Sequence, residues 1–140
     1  MITSFRFSVD FLLPGGIIPI HFSEVSGLSV NVETEAIKEG GQNEYIQKLP
    51  THPQYPNLIL KKAISVDMVL AHWIKTAIAN FDFSPVPLTV SILNEKGIPL
   101  VNWIVSGAYP VKWEASNLQA DQSNLVIETL EMAYQQFYII

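Results

Sequence analysis

Apolar residues recur at every second position through most of the chain, which is the period of a half-buried β-strand. Near the N-terminus Phe5, Phe7, Val9 and Phe11 fall on one face, and Pro14-Gly15-Gly16 ends the pattern. The same pattern predicts further strands at about 17–22, 28–32, 58–66, 86–93, 98–105, 111–113 and 124–140, the last as one long terminal strand.

One segment has a helical period instead. Between Asp67 and Asn80 the apolar positions repeat every four residues in adjacent pairs, which places them on one stripe of a helix. Ser65 or Asp67 is suited to cap the first turn, and the prolines between Phe81 and Pro87 end the helix. The stripe consists of Val69, Leu70, Trp73, Ile74, Ala77 and Ile78.

The segments between these elements have the composition of turns and loops. Lys38–Asn43 is a polar, glycine-bearing loop or hairpin tip, and Asn94–Gly97 is a hairpin turn. Leu49–Pro56 contains three prolines, which predicts irregular, extended chain. Ser106–Pro110 is interpreted as a bend between two strands, and Ser116–Ser123 as a loop.

Together these patterns predict a mainly β (α+β) protein with about seven strands and one helix at about 67–80. Hairpins without crossover helices indicate an antiparallel sandwich or barrel with the helix packed against it. The 140 residues are expected to form a single domain, 1–140. No run of 18 apolar residues occurs, and the N-terminus alternates where a leader peptide would be continuously apolar.

Composition narrows the possible functions. Charged residues make up 15% of the chain, against about 25% in a typical soluble domain, so either much of the surface is covered by partners or the protein stays soluble in some other way. The net charge of −5 argues against specific nucleic-acid binding, whose footprint is basic. The chain has no cysteine, which excludes disulfides, thiolate metal sites and cysteine nucleophiles.

The sequence carries little that suggests catalysis. It has no phosphate-binding glycine loop and no G-x-S-x-G nucleophile motif. His21, His52 and His72 lie in three different predicted elements and lack the spacing of metal ligands. We therefore expect no cofactor, no metal and no enzymatic activity.

Two pairs of carboxylates allow an alternative. Glu33 and Glu35 share a strand face, and Glu128 and Glu131 lie near each other in the last predicted strand. Burial of such a pair supports acid–base chemistry, as in a small hydrolase. We favour the other interpretation, a solvated strand face or a salt-bridged subunit contact, because no other catalytic group accompanies either pair.

The tryptophans are the remaining candidates for ligand binding. Trp73 lies on the helix stripe and is expected in the core, while Trp103 and Trp113 flank the bend and are expected between the sheets. An exposed aromatic platform would instead indicate a ligand-binding β-barrel, for instance for carbohydrate. From the residues alone we predict a β-rich domain suited to self-assembly.

Three blocks of sequence occur in a characteristic order. The first is FSEVSGL at 22–28, followed by Glu33 and Glu35. The second is KEGGQN at 38–43, with KLP at 48–50 and YPNLILK at 55–61. The third is GAYPVKW at 107–113, with NLVIETLE at 124–131. In order and spacing they resemble the tail-tube protein family of contractile phages and phage-tail-like injection systems, which is related in architecture to the type VI secretion tube protein.

The resemblance implies two packed antiparallel sheets with an outer helix. It implies a homo-hexameric ring whose sheets join around a lumen, and rings that stack into a hollow tube inside a contractile sheath. The implied partners are further copies of the chain, the sheath, the baseplate hub or spike, tube-terminating proteins and protein cargo in the lumen. Assembly is expected in the cytoplasm without a signal peptide, before incorporation into a released or membrane-anchored particle. A ring that initiates the tube at the baseplate hub is the alternative role.

The segment from Lys38 to Pro56 is predicted to project and to contact a neighbouring subunit or ring, because it has glycines and prolines but no periodicity. An ordinary surface loop is the alternative. The predicted contact residues are Lys38, Glu39, Gly40, Gly41, Gln42, Asn43, Lys48, Leu49 and Pro50.

Overall fold

The computed structural model of the chain describes residues 6–37, 47–64, 67–116 and 126–140. Within these ranges it contains ten strands and one helix. Their bounds are β1 Arg6–Leu13, β2 Gly16–Phe22, β3 Glu24–Ser26, β4 Asn31–Ile37, β5 Gln47–Gln54, β6 Leu58–Ala63, α1 Met68–Ile78, β7 Val86–Leu93, β8 Pro99–Ser116, β9 Ile127–Ala133 and β10 Gln136–Ile139. No helix in the described ranges is long and apolar enough to cross a membrane.

Strand β8 links two antiparallel sheets. Its residues 99–108 pair with β7, and its residues 109–116 pair with β9. The first sheet has the order β2-β1-β7-β8, with β10 on the other side of β8; the second has the order β8-β9-β6-β3. The prediction of two packed antiparallel sheets is confirmed. The bend at Ser106–Pro110 does not end the strand, however, since Gly107, with φ of +69°, turns it from one sheet into the other.

The core lies between the inner faces of the two sheets. The predicted alternation in β1 is confirmed, since Phe7 is half-buried while Val9 and Phe11 are fully buried; Phe5 lies outside the described residues. Buried aliphatic residues face each other from β6, β7, β8 and β9. They include Leu58, Leu60, Leu88, Val90, Val105, Leu130 and Met132.

The helix closes one side of this core. The Asp67 carboxylate caps it by accepting a hydrogen bond from the backbone N–H of Leu70 at 3.0 Å. Trp73 is buried as predicted, and its ring meets that of Phe11 at 6.1 Å between centroids. The buried stripe is narrower than predicted, because Val69 and Ile78 remain 46% and 41% exposed.

The turn at 94–97 is confirmed. The side-chain oxygen of Asn94 accepts hydrogen bonds from the backbone N–H groups of Lys96 and Ile98, both at 2.9 Å. Gly97 takes a φ of +79°, a conformation that glycine adopts without steric cost. This short connection fixes the register between β7 and β8.

The prediction of one terminal strand over 124–140 is wrong. The chain forms β9 and β10 with a break at Tyr134 and Gln135. The break arises because β9 follows residues 109–116 of β8, whereas β10 follows residues 103–106, beyond the bend. The backbone N–H of Gln135, in the break between β9 and β10, donates to the carbonyl of Ser106 at 2.9 Å and connects the break to the bend of β8.

The prediction of irregular chain over Leu49–Pro56 is also wrong, because β5 pairs with β4 along most of this segment. Between Val32 and Thr34 the register shifts, so that Thr51 and His52 together oppose Glu33. This bulge interrupts the alternation of N–H directions along β5. Both prolines, Pro50 and Pro53, can then present their nitrogens to the open edge, where no ladder hydrogen bond is lost.

Candidate assembly surfaces

Strands β4 and β5 form a two-stranded arm that stands apart from both sheets. All of its side chains are exposed except Gln47, which is half-buried. Directly opposed residues share a face of a ribbon, so one face carries the row Val32, Thr34, Pro50 and Pro53. A two-stranded ribbon is marginally stable alone in water. The arm is therefore suited to packing against another molecule.

The opposite face of the arm carries both carboxylates of the predicted Glu33/Glu35 pair, and both are exposed. Glu33 accepts a hydrogen bond from the side-chain amide of Gln54 at 2.7 Å and lies 3.5 Å from the His52 imidazole. This arrangement is a solvated strand face. It lacks the burial that acid–base chemistry would require.

The predicted contact residues fall on the arm where the structure describes them. Lys48, Leu49 and Pro50 lie on β5, and all three are exposed. The other six, Lys38–Asn43, lie outside the described residues. Their role in subunit contacts stays a prediction.

The arm is fixed to the body at its base. The Tyr134 hydroxyl donates to the backbone carbonyl of Gly27 at 2.9 Å, and the Asn57 amide donates to the Glu131 carboxylate at 2.9 Å. Burial and the neighbouring Tyr55 raise the pKa of Tyr134 to about 12, so this hydroxyl keeps its proton and can donate even in alkaline solution near pH 10. These bonds connect the chain just before and just after the arm to β9 and to the residue that follows it.

Replacing Gly27 with alanine should destabilise the base of the arm severely. Gly27 has a φ of +95°, and a Cβ there would collide with the backbone carbonyl oxygen of Asn57. We expect Gly27→Ala to lower the free energy of unfolding by about 3 kcal/mol or more, measured by urea denaturation. Gly97→Ala is the matched control, because Gly97 also has positive φ but has open space around it. Equal losses in the two variants would contradict the collision.

The second sheet has a free edge on each side. Strand β3 forms one edge, since it pairs only with β6 in the described part of the chain. Residues 109–116 of β8 form the other, where β9 is the sole strand partner that the structure describes. Exposed edges with unpaired backbone groups are available to strands of other molecules.

A groove runs between α1 and this free edge of β8, and we call it the helix groove. Its deeper part is a cavity of about 420 Å³ with mostly apolar walls. A second, shallower part of about 380 Å³ continues past Ile78 and Val111. Residues lining the deeper part include Ile64, Leu70, Ala71, Ile74 and Trp113.

Two charged residues form the floor of the helix groove. The buried Lys62 ammonium donates to the buried Glu128 carboxylate at 2.8 Å, and Trp113 Nε1 donates to its other oxygen, also at 2.8 Å. Glu128 is therefore bound within its own chain. It does not pair with Glu131, which is three residues away and lies on the other face of β9.

The sequence analysis did not predict this ion pair, although the alternation of buried residues in β6 and β9 indicates it. Lys62 continues the buried alternation of Leu58 and Leu60, and Glu128 begins that of Leu130 and Met132. A lysine and a glutamate, each at a buried position of its own strand, are typical of a buried pair. Trp113 was expected between the sheets, but it is 43% exposed and forms a wall of the groove; Trp103 is half-buried against the core.

The other candidates for chemistry do not converge. His21, His52 and His72 are each exposed, on β2, β5 and α1. Across the described ranges, no group of three or more His, Asp or Glu side chains is arranged to hold a metal ion. The arm, the two free edges of the second sheet and the helix groove are instead suited to contact with other molecules.

Comparison with known families distinguishes an assembling structural protein from a ligand-binding module or an enzyme. The sequence profile described as "T4-like virus tail tube protein gp19" matches residues 3–138. The chain belongs to this tail tube family. It is thus a structural tube subunit and part of a phage tail or a tail-like particle, as the resemblance of the three sequence blocks implied.

Solved structures agree with the family. A chain in the baseplate of the anti-feeding prophage is 26% identical, with a TM-score of 0.84, covering 100% of this chain and 94% of its own. A chain in the PVC extracellular contractile injection system, in its extended sheath–tube complex, is 25% identical, with a TM-score of 0.78 and coverages of 96% and 88%. Hcp1 from Flavobacterium johnsoniae shares the fold at 15% identity, with a TM-score of 0.55 and coverages of 95% and 93%. A search of curated protein sequences found no significant match.

Proposed function

We propose that residues 1–140 act as one tail-tube domain, six copies of which close into a ring. The observation that carries this proposal is the pair of free edges on opposite sides of the second sheet. If β3 of one copy pairs with residues 109–116 of β8 in the next, both edges of the second sheet are satisfied. Such a head-to-tail contact gives a closed ring when its rotation closes. The function is structural, with no enzymatic step.

The helix groove lies alongside the proposed contact. A neighbour whose β3 extends the sheet from β8 would bring its own edge residues over the gap between α1 and β8. Apolar side chains that are exposed in one copy, including Val111 and Trp113, would then be buried between two copies. This burial would stabilise the ring and would account for the small proportion of charged residues in the sequence.

We further propose that the arm joins one ring to the next. It extends the β3–β6 pair beyond the body, and the row Val32, Thr34, Pro50 and Pro53 is uncovered within one copy. The stacked rings would form the inner tube of a contractile particle. The sheath would surround this tube, and a baseplate hub and a tube-terminating protein would contact its ends. We place assembly in the cytoplasm, before the tube joins a released or membrane-anchored particle.

Introducing a charge on the arm should prevent stacking without preventing folding. We expect Val32→Glu, at a position 54% exposed in the row with Thr34, Pro50 and Pro53, to leave single rings where the parent protein forms tubes, because the new carboxylate would be buried between rings. Electron microscopy of both proteins at equal concentration measures this. Met68→Glu, at an exposed residue of α1, is the control and should form tubes. Long tubes from Val32→Glu would contradict the role of the arm.

A ring that initiates the tube is the second candidate. It is favoured by the higher TM-score to the chain in the baseplate structure, 0.84, than to the chain in the sheath–tube complex, 0.78. Such a ring would bind the baseplate hub on one side and the first tube ring on the other.

Negative-stain electron microscopy beside a size-exclusion mass tests both roles. Six-fold rings or tubes are expected, and tubes that grow without partners identify the main tube subunit. Rings that do not stack identify the initiator. A monomer at high concentration, with no rings in the micrographs, would contradict the proposed ring.

A further inference from the structure

The outer face of the second sheet carries an ordered array of polar side chains. We call it the charged face. Strand pairing places its residues in two rows that cross all four strands. One row is Glu24, Lys61, Thr129 and Glu114, and the other is Ser26, Ile59, Glu131 and Lys112. Together the eight residues line a shallow depression of about 320 Å³.

The charges on this face are held by one another and by neighbouring amides. Lys61 lies 3.7 Å from the Glu24 carboxylate, and Lys112 lies 3.3 Å from that of Glu114. Glu131 is bound by Asn57 at the base of the arm. Three carboxylates against two ammonium groups give this face a net charge of −1 per copy, while the whole chain carries −5. The charged face is thus hydrated but nearly neutral.

The outer face of the first sheet is different. The alternation in β1, β2 and β7 assigns to it only two charged residues, Arg6 and Asp10, in the described part of these strands. Leu12 and Ile17 oppose each other on this face and are exposed, and Pro19 and Pro87 lie beside them. A face of this composition is suited to contact with another protein. The charged face, with its exposed ion pairs, is suited to contact with water.

We propose that the charged face lines the lumen of the tube and admits hydrated polypeptide cargo without selecting it by charge. The inference rests on the proposed ring, in which the second sheet continues from copy to copy. Four strands from each of six copies give about 24 strands, and at roughly 4.8 Å per strand the barrel is about 37 Å wide between backbones before tilt. Side chains narrow this passage, which still admits an extended chain or a small folded domain.

Cysteine labelling of intact tubes tests the assignment, since the natural chain has no cysteine. Thr129→Cys places a thiol in the middle of the charged face. Thr89→Cys is the matched control, because Thr89 is also a half-buried strand threonine but lies on the outer face of the first sheet. Ser26→Cys, at an exposed position of the charged face, is a second variant in case Thr129→Cys fails to fold.

A small maleimide should label all variants in intact tubes. A maleimide attached to a polymer wider than the lumen should label Thr89→Cys but not Thr129→Cys or Ser26→Cys. In dissociated subunits it should label all three. Rapid labelling of the charged-face thiols by the polymer in intact tubes, with protection of Thr89→Cys, would overturn the assignment. Absence of rings in the micrographs would instead contradict the proposed function.

The nearly neutral charge is tested with the same thiols. Cationic and anionic methanethiosulfonates should modify Thr129→Cys in tubes at rates within about threefold of each other, whereas a wall dominated by carboxylates favours the cation by about tenfold or more at low salt. Adding Lys61→Glu makes the face more acidic and should create that bias, which high salt then removes. A strong cationic preference without this change would overturn the charge-neutral lumen.

Discussion

Val111→Glu should keep the protein monomeric at concentrations where the parent chain forms rings. Val111 is 40% exposed in the single copy and lines the helix groove, so the monomer accommodates a carboxylate there in contact with water. In the proposed ring the same side chain is covered by a neighbour. Burying an unpaired carboxylate costs several kcal/mol. A cost of about 3 kcal/mol at each contact between two copies weakens their association more than a hundredfold.

Sedimentation velocity of the parent and variant over a range of concentrations measures this effect. Leu100→Glu is the matched control: it also lies on β8, is 53% exposed and changes an apolar residue to glutamate, but it belongs to the first sheet. We expect it to assemble like the parent. If Val111→Glu assembles equally well, the contact does not use the helix groove and the proposed order of strands around the ring is incorrect.

The second large effect concerns stability within one copy. Lys62→Met should lower the free energy of unfolding by about 3 kcal/mol, a fall of about 10 °C in melting temperature, because it leaves the buried Glu128 carboxylate without the ammonium that neutralises it. The neutral indole N–H of Trp113 remains as a donor but carries no compensating charge. Urea denaturation in the Val111→Glu background separates this loss from the stability that a ring would add.

Two further variants make the test specific to the buried pair. Lys61→Met, one residue away, breaks only an exposed pair with Glu24 at 3.7 Å and should cost less than about 0.5 kcal/mol. The double change Lys62→Met/Glu128→Leu should recover much of the loss, because two apolar side chains replace two charges below the helix. Equal losses in Lys61→Met and Lys62→Met would show that burial of the pair is not what stabilises it.

The buried pair also bears on assembly. Lys62 and Glu128 hold β6 against β9, and Glu128 fixes Trp113 on the adjacent strand of β8. The pair thereby sets the floor and one wall of the groove that the neighbouring copy would cover. Variants that break it should weaken ring formation as well as folding, whereas Val111→Glu should affect ring formation alone.

Several elements were predictable from the sequence because local chemistry determines them. The strand at Val86–Leu93 was predicted with its observed bounds, since its alternation is regular and the Asn94–Gly97 turn follows at once. The helix cap at Asp67 follows from a hydrogen bond within one turn, and the burial of Trp73 follows from its position on the apolar stripe of the helix. The three sequence blocks pointed to the tail tube family, which the match over residues 3–138 confirms.

Other features depend on contacts between residues far apart in the sequence. β8 continues through its bend because its first part pairs in the first sheet and its second part pairs in the second sheet. The final segment divides into β9 and β10 because each pairs with a different part of β8, on either side of the bend. β5 accepts two prolines because β4 pairs with only one of its edges. Alternation of apolar and polar residues along a strand shows that its two faces have different surroundings, but it does not indicate which part of the protein covers each face.

The sequence by itself therefore determined the class of fold, the helix after Asp67 and the structural role, all of which rest on local periodicity and short motifs. The surfaces available for assembly required the tertiary structure. Free edges exist only once the other strands have paired, and the ion pair of Lys62 with Glu128 joins residues 66 positions apart. The eight residues of the charged face come from four strands, which share a face only because of the registers that folding imposes.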